Sequence, residues 1–546
     1  MKNKNKVYQI IILGILALSM GACNSSILEE KAISFLSPDN AYLDKAGFES
    51  GIIGLHTIAR GEFGNALSSG YNMRFEMSMG TDVAFVGENN KNTPERFWDY
   101  SVITNSYSGS NAYWSWGYQL ITNANTLINR GQNPAIIWTD AEKNAYIAEA
   151  KFFRAHAYNV LVNIFGGVPI VTEEFAAPKL DFVRNTRLEV LTQAAQDLEF
   201  AVQWLPQVEI VDGRITKGAA NHLLSEVYIS LGLETKDASY YDKSIAAATS
   251  VISDPRYKLM TTRFGARKDL PGNVMSDLFW SENINRSKGN TETIWAAQFE
   301  FTTIGGTVGG NDANLNRGWG CRYWDFKDPD GKNGMVLSDT LGRGVAWVRP
   351  SNYIFYDLWK YDKNDMRNSK YNIKREWYYN NPASKYYLQK VNWKSGRSYL
   401  DTTWYIGPEL LKLKGNFKNE INRTYGDICV MRLAETYLLR AEAYMWKGDK
   451  QKAADDINAV RARSQAKLVT SAEVNVDFLL DERARELVVE EPRRRTLVRL
   501  GKMVERTVKY NPICAPNIKP YNELWPIPQT AIDANVGAVL TQNPGY

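Results

Sequence analysis

The sequence predicts a mostly α-helical fold of helical hairpins with an irregular, loop-rich face. Two observations support this prediction. Helical periodicity dominates roughly residues 111–165, 186–253 and 427–505. Between about 255 and 425 the chain is instead rich in Gly, Asn, Asp and aromatic residues. Such a composition is typical of loops and short strands, and long loops often carry function.

The first 22 residues predict an export signal. Three lysines in the first six residues precede an apolar stretch over 10–20, and Gly21-Ala22 leads into Cys23. The apolar stretch is shorter than the about 20 residues of a membrane span. A small-small-Cys ending suggests a bacterial lipoprotein in which Cys23 is acylated and becomes the mature N terminus. The alternative is an ordinary secreted protein cut near Ala22.

Helical hairpins are predicted along the whole chain. A helix is expected over 114–129, a helix at 147–167 is expected to pair with 187–206, and 221–234 is followed by a helix at 240–253. The clearest unit is 427–463, whose large and small residues follow tetratricopeptide spacing with a turn at Gly448. The residues on this spacing are Tyr437, Ala441, Tyr444, Gly448, Ala453 and Ile457. Stacked hairpins of this kind form a solenoid, which is more often a scaffold than a catalyst.

Charge and composition exclude several classes of protein. Three of the five net positive charges are the signal lysines, so the chain after Ala22 carries about +2. A strongly basic nucleic-acid surface is therefore not indicated. The chain shows no HExxH, GxSxG or Walker-type motif. His156 and His222 lie in helical apolar patterns, which favours core packing over catalysis.

Cysteine usage is sparse. Beyond Cys23 the chain has Cys321, Cys429 and Cys514, which are far apart and give no CxxC spacing for a metal. We expect three structural thiols, and a single disulfide between two of them is the alternative. The sequence predicts no cofactor and no metal site. DPDGKN at 328–333 vaguely resembles a calcium loop but lacks the distal Glu, so an Asx-rich turn is expected.

Several separated motifs resemble the SusD/RagB family of nutrient-uptake lipoproteins of the Bacteroidetes outer membrane. They occur in the family's order and span nearly the whole chain after the signal. One departure is Arg494, where many family members have Trp, and we interpret it as a structural difference. The motifs are AEAKFFRAHAYNVLVNIFGGVPIVTEE (148–174), RITKGAANHLLSEVYISLG (214–232), MRLAETYLLRAEAYMWKGD with INAVRAR (431–463), LLDERARELVVEEPRRRTLVRLGK (479–502) and LWPIPQTAIDANVGAVLTQNPGY (524–546).

The resemblance implies a SusD-like fold whose ligand-binding face is rich in loops. Residues 1–22 would be the signal peptide and 23–546 one SusD-like domain, with an N-terminal part to about 253 and a C-terminal part from about 254. It implies a surface-exposed, lipid-anchored outer-membrane protein. Such proteins capture oligosaccharide without cleaving it and deliver it to a SusC-like TonB-dependent transporter. A peptide ligand, as for some relatives, is the alternative within the family.

Two segments are candidate sugar platforms, because aromatic rings stack on sugar rings and polar side chains read the hydroxyls. One is 72–100 and the other is 309–331. The candidate ligand-binding residues are Asp82, Arg96, Trp98, Trp319, Tyr323 and Trp324. Arg343 and Arg349 around Trp347 give a weak indication of an acidic polysaccharide.

Two other classes of function stay open from the residues alone. The first is a surface glycoside hydrolase, which would use two carboxylates. Glu486 and Glu490 are one such pair on paper, although charges in their segment more often form solvated pairs or network contacts. The second is a tetratricopeptide scaffold that binds only proteins.

Overall fold

The computed structural model describes most of the chain after residue 37. The described residues are 38–63, 73–87, 100–101, 103–175, 177–300, 303, 306, 315–338, 341–393, 404–413, 416–418 and 423–546. Cys23, Arg96 and Trp98 lie outside them. The export signal and two of the candidate ligand-binding residues therefore have no structural account here.

Long helices form most of the described structure. In chain order they are α1 Lys45–Arg60, α2 Ser108–Arg130, α3 Asp140–Phe165, α4 Arg187–Trp204, α5 Lys217–Thr235, α6 Ser239–Ile252, α7 Leu433–Trp446, α8 Lys450–Arg463, α9 Val476–Leu487, α10 Arg493–Arg499 and α11 Met503–Tyr510. Short helices cover Pro38–Ala41, Met73–Glu76, Val274–Asp277, Leu315–Trp319, Asn352–Phe355 and Gln529–Ala534. The predicted mostly helical fold is confirmed.

The helical hairpins pair as predicted. α3 packs on α4, α5 on α6, and α7 on α8, and α7 also packs on α6. Gly448 has φ +88° between α7 and α8, a conformation that glycine adopts without strain. Ala441 and Ala453 are buried in this hairpin, and their small side chains let the two helices approach closely.

Helix starts follow their sequence signals. Thr139 and Thr186 each form a capping box with the glutamate three residues later, which satisfies backbone donors at the start of α3 and α4. α1 was not predicted. It contains three glycines, yet it buries Phe48, Ile52 and Leu55 against α2 and α3. Tertiary packing thus outweighs its low helix propensity.

Short strands connect distant parts of the chain. They are β1 Ala84–Val86, β2 Thr293–Ala297, β3 Val348–Pro350, β4 Ile373–Lys374, β5 Glu409–Leu410, β6 Asn416–Lys418, β7 Arg423–Tyr425 and β8 Ile428–Arg432. Within the described residues they pair antiparallel as β1–β3, β2–β8, β4–β5 and β6–β7. β1 and β3 matter most for the site, because β1 lies in the first predicted platform and β3 follows residues that hydrogen-bond to the second.

Two hydrophobic cores support the loop-rich face. The main core runs through the helices and includes Trp525 and Phe152. A smaller core lies under the loops and is centred on Trp377, Tyr323 and Cys321. The second core explains how a stretch with few helices stays ordered. Among the described residues, no helix has both the length and the apolar character that crossing a membrane requires.

The charged segment 481–491 forms a buried network rather than solvated pairs. Glu486 is fully buried and accepts hydrogen bonds from Arg432 at 2.7 Å, from Arg367 at 3.0 Å and from Arg463. Glu490 pairs with Arg432 at 2.8 Å. The sequence left two structural interpretations of these charges open, solvated ion pairs and network contacts. For Glu486 the network is confirmed and the solvated pair is wrong. A carboxylate enclosed by three guanidinium groups has no face open to a substrate.

Arg494 has the structural role that the sequence indicated. Its side chain is fully buried, with the guanidinium carbon 5.3 Å from the centroid of the Trp525 ring. Nη1 donates to the Tyr100 hydroxyl at 3.2 Å, and Nη2 donates to the Asn522 carbonyl. The planar guanidinium packs on an aromatic ring while its donors reach oxygen acceptors, so this arginine packs the C-terminal segment.

Candidate functional site

The candidate site lies on the loop-rich face and is organised by residues 343–347. Val345 donates its backbone N–H to the Arg317 carbonyl at 2.8 Å, and Ala346 donates to the Gly320 carbonyl at 2.8 Å. The carbonyl of Trp347 accepts from Gly87 N–H at 3.0 Å. Gly87 follows β1, so residues 343–347 contact both predicted platforms, the first at Gly87 and the second at Arg317 and Gly320.

Three tryptophans and three arginines, all partly exposed, form a surface that we call the tryptophan–arginine patch. Its members are Trp324, Trp347, Trp404, Arg317, Arg322 and Arg343. The Arg322 guanidinium carbon lies 4.9 Å from the Trp324 ring centroid and 5.0 Å from the Trp404 centroid. Cation–π attraction at these distances holds the Arg322 guanidinium over both rings.

The remaining arginines extend the patch in the same way. Arg343 lies 4.9 Å from the Trp324 centroid, and Arg317 lies 5.0 Å from the Trp347 centroid. Trp347 also contacts Phe75, with 6.1 Å between ring centroids. The patch therefore spans residues from three separate parts of the sequence.

Hydrogen bonds fix the indoles in place. Trp324 Nε1 donates to the Gly344 carbonyl at 2.9 Å, and Trp404 Nε1 donates to the Val345 carbonyl at 3.1 Å. Both acceptors lie on the organising segment. The indole N–H groups are thus used inside the protein, and the rings keep a fixed orientation toward the surface.

The organising segment also contains a strained backbone position. Ala346 is fully buried and has φ +55°, in the left-handed region that favours glycine. A non-glycine residue in this region costs on the order of 1–2 kcal/mol and persists only where its surroundings enforce it. Such positions concentrate at functional sites, which agrees with the place of Ala346 directly after Gly344 and Val345, whose carbonyls hold two tryptophans.

The described candidate ligand-binding residues differ in exposure. Trp324 belongs to the patch. Asp82, Trp319 and Tyr323 are buried, so they hold the site's frame and offer no face to a ligand in this structure. Tyr323, for example, donates its hydroxyl to the Gly342 carbonyl at 2.8 Å and accepts from Ser338 N–H at 2.9 Å.

Asp82 is enclosed by arginines. Burial alone would raise the pKa of this carboxyl, but Arg493 and Arg506 hold it below its usual range. Its oxygens accept from Arg493 at 2.7 and 2.9 Å and from Arg506 at 2.8 Å. Its charge is used to join chain segments.

Sequence reasoning missed Trp404, Arg317 and Arg322. Arg317 and Arg322 stand within the predicted platform, so their proximity to Trp324 was available in principle. Trp404 is about 80 residues further on. The Arg322 backbone N–H donates to the Trp404 carbonyl at 3.0 Å. Such a long-range contact cannot be predicted from a local sequence pattern.

The patch also includes an ion pair. The Asp325 carboxylate lies 3.1 Å from the Arg322 guanidinium and forms an ion pair with it. Glycoside hydrolysis generally uses two flanking carboxyl groups. No group of three or more His, Cys, Asp or Glu residues suited to a metal occurs in the described part of the chain.

The segment at 328–333 is the Asx-rich turn that the sequence predicted. Asp328 Oδ1 accepts from the N–H groups of Asp330 and Lys332, both at 3.0 Å. Gly331 has φ +77°. The Asp328 carboxylate thus closes its own turn.

The three described cysteines are buried free thiols, as expected. Burial raises the pKa of Cys321 and of Cys429 to about 12. His156 and His222 are buried as well, and burial lowers the pKa of His156 to about 4. These residues are buried in the interior, and none of them is a member of the patch.

The fold places the chain in the class of helical-repeat scaffolds that carry a loop-rich face. A model of the SusD family matches residues 291–546, and a second model, described as "Starch-binding associating with outer membrane", matches residues 38–229. The two matches together cover most of the chain. The chain belongs to the SusD family.

Known proteins of the family resemble this chain over most of its length. SusD-like protein P25 of Formosa agariphila is 24% identical over 97% of both chains. Starch-binding protein SusD of Bacteroides thetaiotaomicron is 26% identical over 75% of this chain and 74% of that protein. A solved structure titled "Laminarin binding SusD-like protein" has a TM-score of 0.69 and 23% identity, covering 92% of this chain and 100% of the other.

Proposed function

We propose that this protein captures oligosaccharide at the tryptophan–arginine patch and does not cleave it. The observation that carries the proposal is the fixed array of partly exposed indoles and guanidinium groups on the loop-rich face. Indole faces accommodate the apolar face of a pyranose, and guanidinium N–H groups donate to hydroxyl oxygens. Relatives named as starch-binding and laminarin-binding support a glycan as the ligand.

Rigid presentation favours capture by this surface. The indoles of Trp324 and Trp404 are locked by backbone acceptors, and the arginines are held against the rings, so little conformational entropy is lost on binding. Single contacts to a sugar are weak, and we expect affinity to come from several of them together. Repeated units of a polysaccharide and many copies of the protein would add avidity.

A binding screen with product analysis tests the proposal. The chain from residue 24 onward is run through affinity gels that contain starch, laminarin, xylan, pectin or alginate, and the supernatants are assayed for new reducing ends. We expect retardation by one glycan class and no reducing ends. Weaker retardation of Trp324→Ala than of the wild type, with unchanged retardation of Trp446→Ala, would locate binding at the patch. Trp446 is a matched control because it is 36% exposed at the end of α7.

The other classes of function give different results in the same screen. New reducing ends would identify a glycoside hydrolase and overturn the non-catalytic proposal. Absence of retardation in every gel would overturn glycan capture, and a peptide library would then be screened. Arginines in the patch make pectin and alginate the informative acidic members of the panel.

We further propose that the protein is lipid-anchored through Cys23 at the outer-membrane surface and delivers its ligand to a SusC-like TonB-dependent transporter. The sequence before Cys23 and the family membership support the anchor and the partner. Cells grown with an alkyne fatty acid should label the wild-type protein and not Cys23→Ser. Pull-down of the anchored protein from detergent extracts should recover a large TonB-dependent receptor, and repeated absence of one would contradict the partner.

A further inference from the structure

A concave site separate from the patch residues lies beside Tyr356. It is a cleft of about 690 Å³ between β3 with the short helix Asn352–Phe355 on one side and residues 508–513, at the end of α11 and just beyond it, on the other. None of its lining residues belongs to the tryptophan–arginine patch. Its volume falls within the roughly 300–1,000 Å³ of clefts that hold small ligands.

Aromatic rings line this cleft and remain open to solvent. Tyr356 is 40% exposed, and Phe85, Trp393 and Tyr510 are partly exposed. Tyr510 stacks on the buried ring of Tyr353, with 4.1 Å between centroids. That contact fixes one wall of the cleft, so a ring entering the cleft meets a surface already in place.

The frame of the cleft is rigid. Pro350, Pro408 and Pro512 line it, and each proline fixes its own φ. The Arg375 guanidinium donates to the Phe355 carbonyl at 2.7 Å and so ties the short helix to the next chain segment. A pre-formed cleft loses little entropy when a ligand binds.

The polar groups around the cleft carry both signs of charge. Asp357 pairs with Lys360 at 2.6 Å, and Lys509 lies 4.9 Å from the Tyr510 ring centroid. Arg349 is buried in the floor and donates to the Pro408 carbonyl at 2.7 Å. Asn352 is exposed on the rim and offers an amide. Mixed donors and acceptors with balanced charge suit hydroxyl groups better than a strongly charged ligand.

The backbone of the cleft disfavours a peptide. A peptide that extends along a groove usually pairs with main-chain donors and acceptors. Three of the lining residues are prolines, which have no N–H to donate. A pyranose needs ring faces and side-chain hydrogen bonds instead, and the cleft provides both.

Trp393 extends the site beyond the cleft. It also lines a neighbouring depression of about 480 Å³ together with Arg375, Glu376 and Lys390. Its Nε1 donates to the Arg375 carbonyl at 3.3 Å, which positions the indole between the two hollows. A hollow on each side of an indole fits a chain of sugar rings better than a single small molecule.

We infer that the cleft at Tyr356 and Trp393 is a second oligosaccharide-binding site on this protein. The inference rests on the proposed function in one respect, namely that the ligand is a glycan. Two sites on one scaffold would hold one polysaccharide at two points, and the second contact would form at the effective concentration set by the first. The cleft would then raise retention of long chains more than of short ones.

The test measures stoichiometry on the chain from residue 24 onward. Hexasaccharides prepared from whichever panel polysaccharide retards the protein are titrated by calorimetry and counted by native mass spectrometry. We expect two bound hexasaccharides on the wild type, one on Tyr356→Ala and one on Trp324→Ala. Affinity for the polysaccharide should fall about tenfold in Tyr356→Ala. Tyr387→Ala is the matched control, since Tyr387 is 44% exposed and lines neither hollow.

Hydrogen exchange on the unaltered chain gives a second readout that needs no variant. Saturating hexasaccharide should slow exchange in peptides covering 350–357 and 508–513. One bound hexasaccharide on the wild type, no effect of Tyr356→Ala and no added protection would overturn the cleft while leaving capture at the patch intact. Failure of every polysaccharide to bind would overturn the proposed function and the second site together.

Discussion

Asp82 and Arg493 are 411 residues apart in the sequence and form a bidentate ion pair in the interior. The two hydrogen bonds measure 2.7 and 2.9 Å, and both side chains are almost completely buried. Arg506 completes the arrangement by donating to the same carboxylate. The pair joins the segment before β1 to α10, so it closes the N-terminal part of the chain on the C-terminal part.

Replacement of Asp82 by Asn should therefore reduce stability and not ligand affinity. Two buried arginines would lose their shared counter-charge, which costs about 3–5 kcal/mol. Urea unfolding of Asp82→Asn should show this loss, whereas the exposed Asp269→Asn should match the wild type within about 0.5 kcal/mol. A stable Asp82→Asn that no longer bound glycan would instead return Asp82 to the ligand site.

Glu486 should make the protein sensitive to acid. Burial raises the pKa of Glu486, but the charges of Arg463, Arg432 and Arg367 lower it by more than burial raises it. The pKa is therefore far below the ordinary value of 4.5. A carboxyl with a depressed folded pKa stabilises the fold above its unfolded pKa and loses that contribution as the pH falls through the folded pKa.

Glu486→Gln is expected to be about 3–5 kcal/mol less stable than the wild type at pH 7. The difference should shrink as the pH falls below 4.5, because the wild type then begins to lose the same interaction. Denaturant unfolding at pH 7, 5 and 4 would measure it. Glu505→Gln, at an exposed pair with Lys502, should have little effect at any of these values. Equal stability of wild type and Glu486→Gln at pH 7 would contradict the network's importance.

The helical half of this fold was predictable because its signals are local. The periodicity around Tyr437 and Gly448 and the capping residue Thr139 each lie within a few positions of the helix they define. The family motifs fall mostly on these helices, which is why they identified the fold. α1 was not predicted, because its three glycines lower the helix propensity of the segment. Packing on α2 and α3 stabilises it.

The candidate site was predictable only in part, because its members meet through long-range contacts. Trp324 was named from its aromatic, glycine-rich surroundings, and it lies in the patch. Trp319 and Tyr323 stand in the same stretch but point into the cores. Alternation between surface and core in an irregular segment follows no fixed period, unlike in a strand or helix. Trp404 reaches the patch through the Val345 carbonyl, which no spacing rule encodes.

Glu76 should give stability the opposite dependence on pH. Burial raises the pKa of this carboxyl to about 8, despite lowering contributions from Tyr107 and Arg494. The folded state thus holds a proton that the unfolded state releases near pH 4.5. Its contribution is fully present below pH 4.5 and is lost as the pH rises through about 8.

Glu76→Gln keeps the neutral shape and should remove this dependence. Between pH 5 and 8.5 the variant should gain on the wild type by as much as about 4 kcal/mol, with near-equal stability at pH 5. Glu62→Gln is the contrasting variant, because burial raises the pKa of Glu62 but Arg74 and Arg495 bring it to about 2. It should destabilise at pH 7. Parallel pH profiles for wild type and Glu76→Gln would show that Glu76 is ionised in the fold.

Ala346 links the backbone strain of the organising segment to the patch. Its φ of +55° is acceptable for glycine and more costly for a β-branched residue. Ala346→Gly should stay within about 1 kcal/mol of the wild type, because relief of strain is offset by greater freedom of the unfolded chain. Ala346→Val should lose at least about 2 kcal/mol, since it combines an unfavourable φ with added volume at a fully buried position.

Because the neighbouring Val345 carbonyl holds Trp404, we also expect Ala346→Val to weaken glycan retardation at temperatures where it is folded. Thermal unfolding and affinity gels on both variants would measure this, and full retention of binding by a destabilised Ala346→Val would separate the segment's backbone from the geometry of the patch.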